Sequence, residues 1–273
     1  MPIRTFIIPA KKRTWTAVGL VVVGVCAMGA RRWEPVELHV LISGAFTAAY
    51  QEISPRYEKE SGNHLVMAPG ASMGTTPTAI PMRLERKEPA DVAIMARDAL
   101  DKLAAKGQVI ADSETDLGLS KIAMAVREGA PLPDISTDEA LRETLLKAKS
   151  IAYSDSSSGV YLSTVLFKKL GISEQVAAKS HMIPGTPVGE NIARGEEEIG
   201  FQQVSELKPV KGIHIVGLLP EDVQKVTTFS AGVVTTSAHP DEALALVRFL
   251  ASDASYAAIR ASGMEPAHAA GKK

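Results

Sequence analysis

Hydrophobic and polar positions in the first part of the chain predict strands that alternate with helices. Apolar runs at residues 37–43, 65–68 and 91–96 predict three buried strands, and a helix-forming segment follows each run. The first of these helices places Phe46 and Tyr50, four residues apart, on one apolar face. Strands and helices in this order predict a parallel sheet that is covered by helices.

The middle of the chain repeats the same order of elements. A strand at residues 121–127 leads to a helix that is predicted to begin with a capping box at residues 136–139. A further strand at residues 150–153 leads to a helix at residues 160–170, which Gly171 ends. The repetition predicts a second α/β lobe.

The fold class that follows is α/β, with two lobes of the type II periplasmic binding protein kind and mostly parallel sheets flanked by helices. Two short strands within residues 226–236 are predicted to return the chain to the first lobe. Lobe one then comprises residues 37–119 and 226–266, lobe two comprises residues 120–225, and residues 267–273 form a flexible tail. Chain crossings between the lobes are expected to act as a hinge that closes on a ligand.

The N-terminus has the pattern of a secretory signal at residues 1–29. Four basic residues precede the uncharged segment 14–30, which is mostly apolar and ends in small residues. An uncleaved anchor is the alternative, but the apolar run is short for a membrane span. The only cysteine, Cys26, follows Val25 instead of the small residue of a lipoprotein signal. We therefore expect a periplasmic, soluble protein whose mature chain has no disulfide.

Composition and charge exclude several functions. Hydrophobic residues make up 45% of the 273 residues, which is enough for a sizeable core. The formal net charge is −1, and no basic run lies outside the N-terminus, so nucleic acid is not expected as a partner. The histidines are scattered, and no serine-hydrolase elbow or nucleotide-binding glycine loop is present. No metal or cofactor is predicted, which leaves a binding protein or an enzyme that needs only acid–base chemistry.

Two loops rich in serine and glycine are the candidate binding elements. The segment PGASMGTT at residues 69–76 and the segment SDSSSGVY at residues 154–161 each lie between a strand and a helix. The first N–H groups of a helix have no partner within the helix and attract anions, and hydroxyl groups add donors. Either loop alone could simply cap its helix, but two at matching places favour an anion site between the lobes. The predicted contacts in these loops are Ser72, Met73, Gly74, Thr75, Ser156, Ser157, Ser158 and Gly159.

Other strand ends add further candidates, because ligands of open α/β sheets bind beyond the carboxyl ends of the strands. Ser43 and Gly44 follow the first strand, Arg97 follows the third, and Gln202 and Gln203 end a later one. Arg97 could bind a carboxylate with two hydrogen bonds or be a solvated charge at a helix start. Gln203 could be a ligand contact or an ordinary polar loop residue.

The overall pattern resembles the molybdate-binding class of type II periplasmic solute-binding proteins. In that class, the loops after the first two strands and the start of a helix in the second lobe hold the oxyanion. The matching segment at residues 187–189 of this chain adds Val188 as a predicted contact. Ala45 stands where molybdate binders have a serine ligand, and Gln203 stands near their tyrosine ligand, which argues against molybdate. The matching segments are residues 43–46, 70–74, 155–161 and 187–189.

Within that class, the chain is most similar to the bacterial aconitate isomerases. The resemblance implies a periplasmic enzyme on a binding-protein scaffold that interconverts trans- and cis-aconitate. The reaction itself requires no cofactor, and we expect a small anionic substrate and a monomer. The alternative is a receptor that delivers a tricarboxylate or another oxyanion to a transporter permease. The segments that carry the resemblance are residues 69–77, 151–162, 182–184, 187–189 and 199–207.

An allylic isomerisation needs a base that removes a methylene proton and an acid that returns one. Tyr161 and Asp155 are the titratable residues nearest the second loop and are the predicted catalytic groups. Asp155 could instead cap the loop, and Tyr161 could be a core aromatic residue. Glu190, at another helix start, is a weaker third candidate.

Overall fold

The computed structural model describes residues 34–185 and 187–268, together with Pro2. The predicted signal segment, Pro2 aside, and the tail from residue 269 onward lie outside the described residues. Among the helices that are described, none is both long enough and apolar enough to cross a membrane.

Two sheets and their covering helices build the described part of the chain. The strands are β1 (Glu37–Ile42), β2 (His64–Pro69), β3 (Val92–Ala96), β4 (Thr115–Ser120), β5 (Ile122–Arg127), β6 (Ile151–Ser154), β7 (Ser180–Ile183), β8 (Ile199–Gln203), β9 (Ile213–Leu218), β10 (Thr227–Val233) and β11 (Glu265–Pro266). The helices are α1 (Gly44–Ser61), α2 (Ile80–Glu85), α3 (Arg97–Ala105), α4 (Asp138–Lys147), α5 (Ser157–Tyr161), α6 (Phe167–Lys169), α7 (Ser173–Ala177), α8 (Val188–Arg194), α9 (Val204–Leu207), α10 (Pro240–Leu250) and α11 (Tyr256–Ala261). A π-helical turn, Leu162–Leu166, joins α5 to α6, and short 3₁₀ turns lie at Ala111–Ser113, Glu221–Val223 and Asp253–Ser255.

The first sheet has the strand order β11-β4-β10-β3-β1-β2, and the second has the order β7-β6-β8-β5-β9. Strand β1 is parallel to β2 and β3, whereas β10 is antiparallel to β3 and β4. In the second sheet β6 is parallel to β7 and β8, whereas β5 is antiparallel to β8 and β9. The prediction of mostly parallel sheets was therefore wrong, and both sheets are mixed. Only strands joined through βα crossovers must be parallel, and β5 and β10 enter their sheets from the other lobe.

Each sheet has its own hydrophobic core. Phe46 and Tyr50 of α1 pack against the first sheet, beside Ile94 of β3, as the spacing in the sequence predicted. In the second sheet Phe201 is fully buried and packs with Leu166 and other apolar residues of the helices. Burial of one such side chain stabilises the fold by about 1.5–3 kcal/mol. The strand ends that carry the candidate site are thus held by two separate packed layers.

Local details differ from the predictions at three places. Thr137, one residue after the predicted start of the capping box, caps α4, and its hydroxyl accepts the N–H of Ala140 at 3.1 Å. The two predicted return strands are one strand, β10. Strand β4 was not predicted, because Asp116 and Gly118 interrupt its apolar pattern.

Candidate functional site

A cavity of about 360 Å³ lies between loops that extend from the two sheets. Its volume is in the range of small-ligand pockets. Loops after β1 and β2 form one side, and loops after β6, β7 and β8 form the other. The residues that line this interlobe cavity are Ser43, Gly44, Pro69, Gly70, Ala71, Thr78, Arg83, Ser154, Asp155, Ser156, Gly185, Pro187, Gln202 and Glu206.

The N-terminus of the long helix α1 faces the interlobe cavity through Ser43 and Gly44. The Ser43 carbonyl accepts the N–H of Phe46 at 3.1 Å and the hydroxyl of Thr47 at 3.2 Å, which fixes the first turn. The N–H groups at the start of this 18-residue helix and its dipole favour an anion here. The structure thus places Ser43 and Gly44 where the sequence predicted a ligand.

The glycine-rich loop after β2 reaches the cavity through residues other than those predicted. Ser72 is fully buried, and its hydroxyl accepts the N–H of Ala96 at 3.0 Å, which ties the loop to the end of β3. Met73 packs against a hydrophobic core cluster, and Thr75 is exposed. The residues of this loop that line the cavity are Pro69, Gly70 and Ala71.

The serine loop after β6 contributes both to the cavity and to its support. Ser154 and Ser156 line the cavity, and the hydroxyl of Ser154 lies 3.2 Å from that of Ser158. The Ser157 hydroxyl is buried and has no hydrogen-bond partner among the described residues. Gly159 packs directly against the end of β6, so the loop can close only without a side chain there.

Asp155, one of the two predicted catalytic residues, lines the interlobe cavity. Its Oδ2 atom is buried and finds no hydrogen-bond partner within residues 34–185 and 187–268. Burial raises the pKa of this carboxyl, although backbone N–H groups, including that of Gly185, oppose the rise. On the opposite lobe, Gly74 adopts a left-handed φ of 98°, and a Cβ added there would lie 3.8 Å from Asp155 Oδ2. The loops that hold the two predicted anion seats therefore meet at this carboxyl.

Gln202 and Gln203 end β8, but only Gln202 lines the cavity. Gln202 Oε1 accepts the N–H of Val188 at 3.0 Å, and its Nε2 donates to Glu206 Oε1 at 2.9 Å. Val188 therefore positions Gln202 through its backbone. Gln203 is buried, and its Nε2 donates to the Thr227 hydroxyl at 3.1 Å, which connects β8 to the crossing strand β10.

Glu206 is a functional candidate that the sequence reasoning missed. It lies in the first turn of α9 and lines the interlobe cavity. Burial raises the pKa of its carboxyl to about 7, while hydrogen bonds from Gln202 and the Gln203 backbone oppose the rise. A signal was available, because Glu206 is a carboxylate that closely follows a strand end, and ligands of open α/β sheets bind beyond the carboxyl ends of the strands.

Arg83 is a second residue at the interlobe cavity that was not predicted from the sequence. Among the described residues that line the interlobe cavity, it is the one with a cationic side chain. Its guanidinium donates to the Thr78 carbonyl at 3.1 Å and pairs with Glu88 at 2.8 Å, so it is held in place. The position within a short helix, α2, gave no indication of this role in the sequence.

Further predicted residues that lie away from the interlobe cavity are Tyr161, Glu190 and Arg97. The Tyr161 hydroxyl donates to the Val223 carbonyl at 2.8 Å, and its ring packs against the core of the second lobe. Glu190 lines an adjoining cavity of about 600 Å³, which shares Gly44, Pro69, Pro187 and Glu206 with the interlobe cavity.

Arg97 is engaged in ion pairs with three carboxylates. They belong to Asp101, Glu114 and Asp116, at distances of 2.6, 2.9 and 2.9 Å. The guanidinium therefore stabilises the first lobe and does not face the interlobe cavity. Within the part of the chain that is described, no group of three or more His, Cys, Asp or Glu side chains is placed to hold a metal.

Comparison with known proteins agrees with this architecture. The family described as bacterial extracellular solute-binding protein matches residues 38–265, and the chain belongs to this family. The aconitate isomerase of Pseudomonas sp is 54% identical over 229 residues, covering 84% of this chain and 87% of the relative. Both resemblances that were drawn from the sequence, to the binding-protein class and to the aconitate isomerases, are confirmed.

More distant relatives share the fold. The molybdate-binding protein of Azotobacter vinelandii is 23% identical over 240 residues, which covers 84% of this chain and 90% of that protein. A solved structure of the periplasmic molybdate-binding protein of Azotobacter vinelandii superposes with a TM-score of 0.67 at 18% identity, covering 83% of this chain and 98% of that chain. The predicted two-lobe fold class is confirmed by these similarities.

Proposed function

We propose that this protein is a periplasmic aconitate isomerase, which interconverts trans- and cis-aconitate in the interlobe cavity. The observation that carries the proposal is the 54% identity to an aconitate isomerase over most of both chains. The cavity supports it independently, because it combines anion-binding loops with carboxyl groups whose pKa values are raised. A raised pKa suits a carboxyl to proton transfer, and the pKa of Glu206, about 7, lies near neutral pH.

The lining of the cavity suits a small tricarboxylate. The start of α1 and the serine loop offer neutral donors, and Arg83 offers a cation on the first lobe. Three carboxylates of the substrate can therefore be bound at separate places. Donors aimed at a carboxylate also stabilise the charge that develops next to it when a proton leaves.

The reaction is an allylic shift of a double bond. A C–H bond breaks at the methylene carbon, its electron pair enters the allyl system, and a new C–H bond forms at the former vinylic carbon. We assign one of these two proton transfers to Asp155, because this residue lines the cavity and its buried Oδ2 atom has no hydrogen-bond partner among the described residues. The hydrogen bond of Tyr161 to Val223 supports a structural role for that tyrosine instead.

Localisation and assembly follow from the same proposal. The signal pattern at residues 1–29 would direct the protein to the periplasm, where it would act as a monomer. Residues 37–119 with 226–266 would form lobe one and residues 120–225 lobe two, closing on the substrate. Closure would exclude water from the reacting acid.

A solute receptor is the second candidate function. The observation that favours it is the fold, which is shared with a periplasmic molybdate-binding protein. In this case the anion-binding loops would bind a carboxylate or another oxyanion tightly, and a transporter permease would be the partner. A receptor would leave its ligand chemically unchanged.

The first experiment mixes the purified mature protein with trans-aconitate, without added metal or cofactor, and follows proton NMR spectra in deuterated water. We expect cis-aconitate to appear, with deuterium incorporated at the allylic carbon. Binding measured by calorimetry without any conversion would replace the isomerase with the receptor. Neither conversion nor binding would remove aconitate as the ligand.

A matched pair of serine variants tests the serine loop. The buried Ser157 hydroxyl, next to the cavity-lining Ser156, has no hydrogen-bond partner among the described residues, whereas the Ser158 hydroxyl lies 3.2 Å from that of Ser154. We expect Ser157→Ala to weaken trans-aconitate binding by about 1.5–3 kcal/mol, because a donor to a charged group is lost. Ser158→Ala should affect the melting temperature more and affinity less. Equal calorimetric affinities for Ser157→Ala and the wild type would remove Ser157 from the site.

A further inference from the structure

We propose that Glu206 performs one of the two proton transfers of the isomerisation, the one that Asp155 does not perform. This inference rests on the proposed function and names a catalytic residue for it. An allylic shift requires proton transfer at two different carbons, and Asp155 accounts for one of them. Glu206 is the other carboxyl that lines the interlobe cavity among the described residues.

The orientation of the Glu206 carboxyl is fixed by a chain of hydrogen bonds. The N–H of Val188 donates to Gln202 Oε1, so the amide must direct its Nε2 toward Glu206 Oε1, at 2.9 Å. The backbone N–H of Gln203 donates to the same carboxyl. A carboxyl held in this way is oriented before the substrate binds, and such preorganisation makes proton transfer efficient.

Gly44 of the first lobe leaves the space that the Glu206 carboxyl occupies. A Cβ added to Gly44 would lie 2.5 Å from Glu206 Oε1, closer than real Cβ contacts allow. Gly44 begins α1 and lines the same cavity. The carboxyl of one lobe thus meets the anion-binding helix start of the other, where a substrate carboxylate would be bound beside it.

The surroundings of Glu206 are mixed in charge. The negative charge of Asp155 raises the pKa of the Glu206 carboxyl, and Arg83 lies on the opposite side of the interlobe cavity. Burial has the largest effect and raises the pKa to about 7, so the group can both accept and return a proton near neutral pH. In a protein that only binds a trianion, a carboxylate at this place would lower the affinity for the ligand, because like charges repel. The charged residues of the adjoining cavity, which Glu206 also lines, are Glu190, Arg194 and Lys211.

The test is the Glu206→Gln variant of the mature protein, with Glu174→Gln, an exposed residue of α7, as the matched control. Glutamine keeps the shape of the side chain and cannot carry the proton. We expect kcat to fall by about 10²–10⁴-fold, the usual contribution of a general acid or base. The dissociation constant of trans-aconitate should stay the same or decrease, because a negative charge is removed. The control should retain wild-type kcat.

A second variant, Gln202→Met, tests the orientation without removing the carboxyl. Loss of the amide donor should raise the pKa of Glu206, because this hydrogen bond favours the ionised form. The limb of the kcat/KM profile that reports Glu206, near pH 7 in the wild type, should therefore move to higher pH, whether Glu206 acts as the base or as the acid. A residue with a purely structural role would lower activity at all pH values without moving the limb.

The outcomes separate this inference from the proposed function. If the wild type does not convert trans-aconitate, the isomerase proposal itself fails. If the wild type converts it and Glu206→Gln stays within threefold of wild-type kcat, Glu206 is not a proton carrier. A loss of affinity equal to the loss of kcat/KM would make Glu206 a binding residue instead.

Discussion

Replacing Gly159 with alanine is expected to unfold the serine loop and to abolish substrate binding. Helix propensity alone predicts the opposite, because alanine stabilises a helix by about 1 kcal/mol relative to glycine. Here, however, the added Cβ would lie 1.7 Å from the Ser154 carbonyl oxygen and 2.7 Å from its carbon. Both atoms belong to the backbone at the end of β6, so a rotamer change cannot relieve the clash.

The steric effect should therefore outweigh the propensity. We expect a loss of about 3 kcal/mol in the free energy of unfolding, at the upper end of the usual cost of overpacking. This corresponds to a melting temperature lower by about 6–12 °C in a domain of this size. Affinity for trans-aconitate should fall below detection in calorimetry, because α5 must move away from the strand end.

Gly217→Ala is the control for this experiment. A Cβ at Gly217 would meet Ile135 at 3.6 Å, which is an ordinary contact. We expect this variant to bind substrate normally and to melt within about 3 °C of the wild type, a change of about 1 kcal/mol. A Gly159→Ala protein that melts at or above the wild-type temperature would contradict the packing described for the serine loop.

Replacing Asp155 with asparagine is expected to separate proton exchange from isomerisation. The variant cannot carry the proton that Asp155 transfers, so kcat should decrease by about 10²–10⁴-fold. If Glu206 removes the methylene proton, exchange of that proton with deuterium from the solvent should continue while cis-aconitate no longer forms. Proton NMR in deuterated water measures both processes in one sample.

The control for Asp155→Asn is Asp112→Asn, which changes an exposed residue of a 3₁₀ turn. It should isomerise and exchange at wild-type rates. Simultaneous loss of exchange and isomerisation in Asp155→Asn would assign the first proton removal to Asp155. Wild-type kcat in Asp155→Asn would exclude Asp155 from both steps.

The positions of the strands could be predicted because apolar runs must be buried wherever they occur. The runs that became β1, β3 and β6 were each recognisable, and so was the apolar face of α1. The direction of the strands could not be predicted in the same way. Strands β5 and β10 have apolar patterns like those of parallel strands, and only their entry from the other lobe makes them antiparallel.

In the candidate site, too, some residues could be predicted from the sequence and others could not. Ser43, Gly44 and Asp155 were predicted because they follow buried strands, and the structure places them at the cavity. Ser72 has the same kind of position but points into the protein, since its hydroxyl binds the N–H of Ala96. Whether a loop residue faces the ligand or supports the loop depends on contacts with distant strands.

The order of residues alone specified the class of fold, the two glycine- and serine-rich loops and the likeness to aconitate isomerases. These are local properties, because the spacing of apolar residues, the residues that cap helices and the sequence motifs are each contained in short segments of the chain. The tertiary structure alone decided which of the candidate titratable groups lie at the cavity, and it added Glu206 to Asp155. It turned Tyr161 toward the Val223 carbonyl and paired Arg97 with three carboxylates. It also brought Glu206 beside Gly44, since proximity across the two lobes depends on how separate elements pack and not on their spacing in the chain.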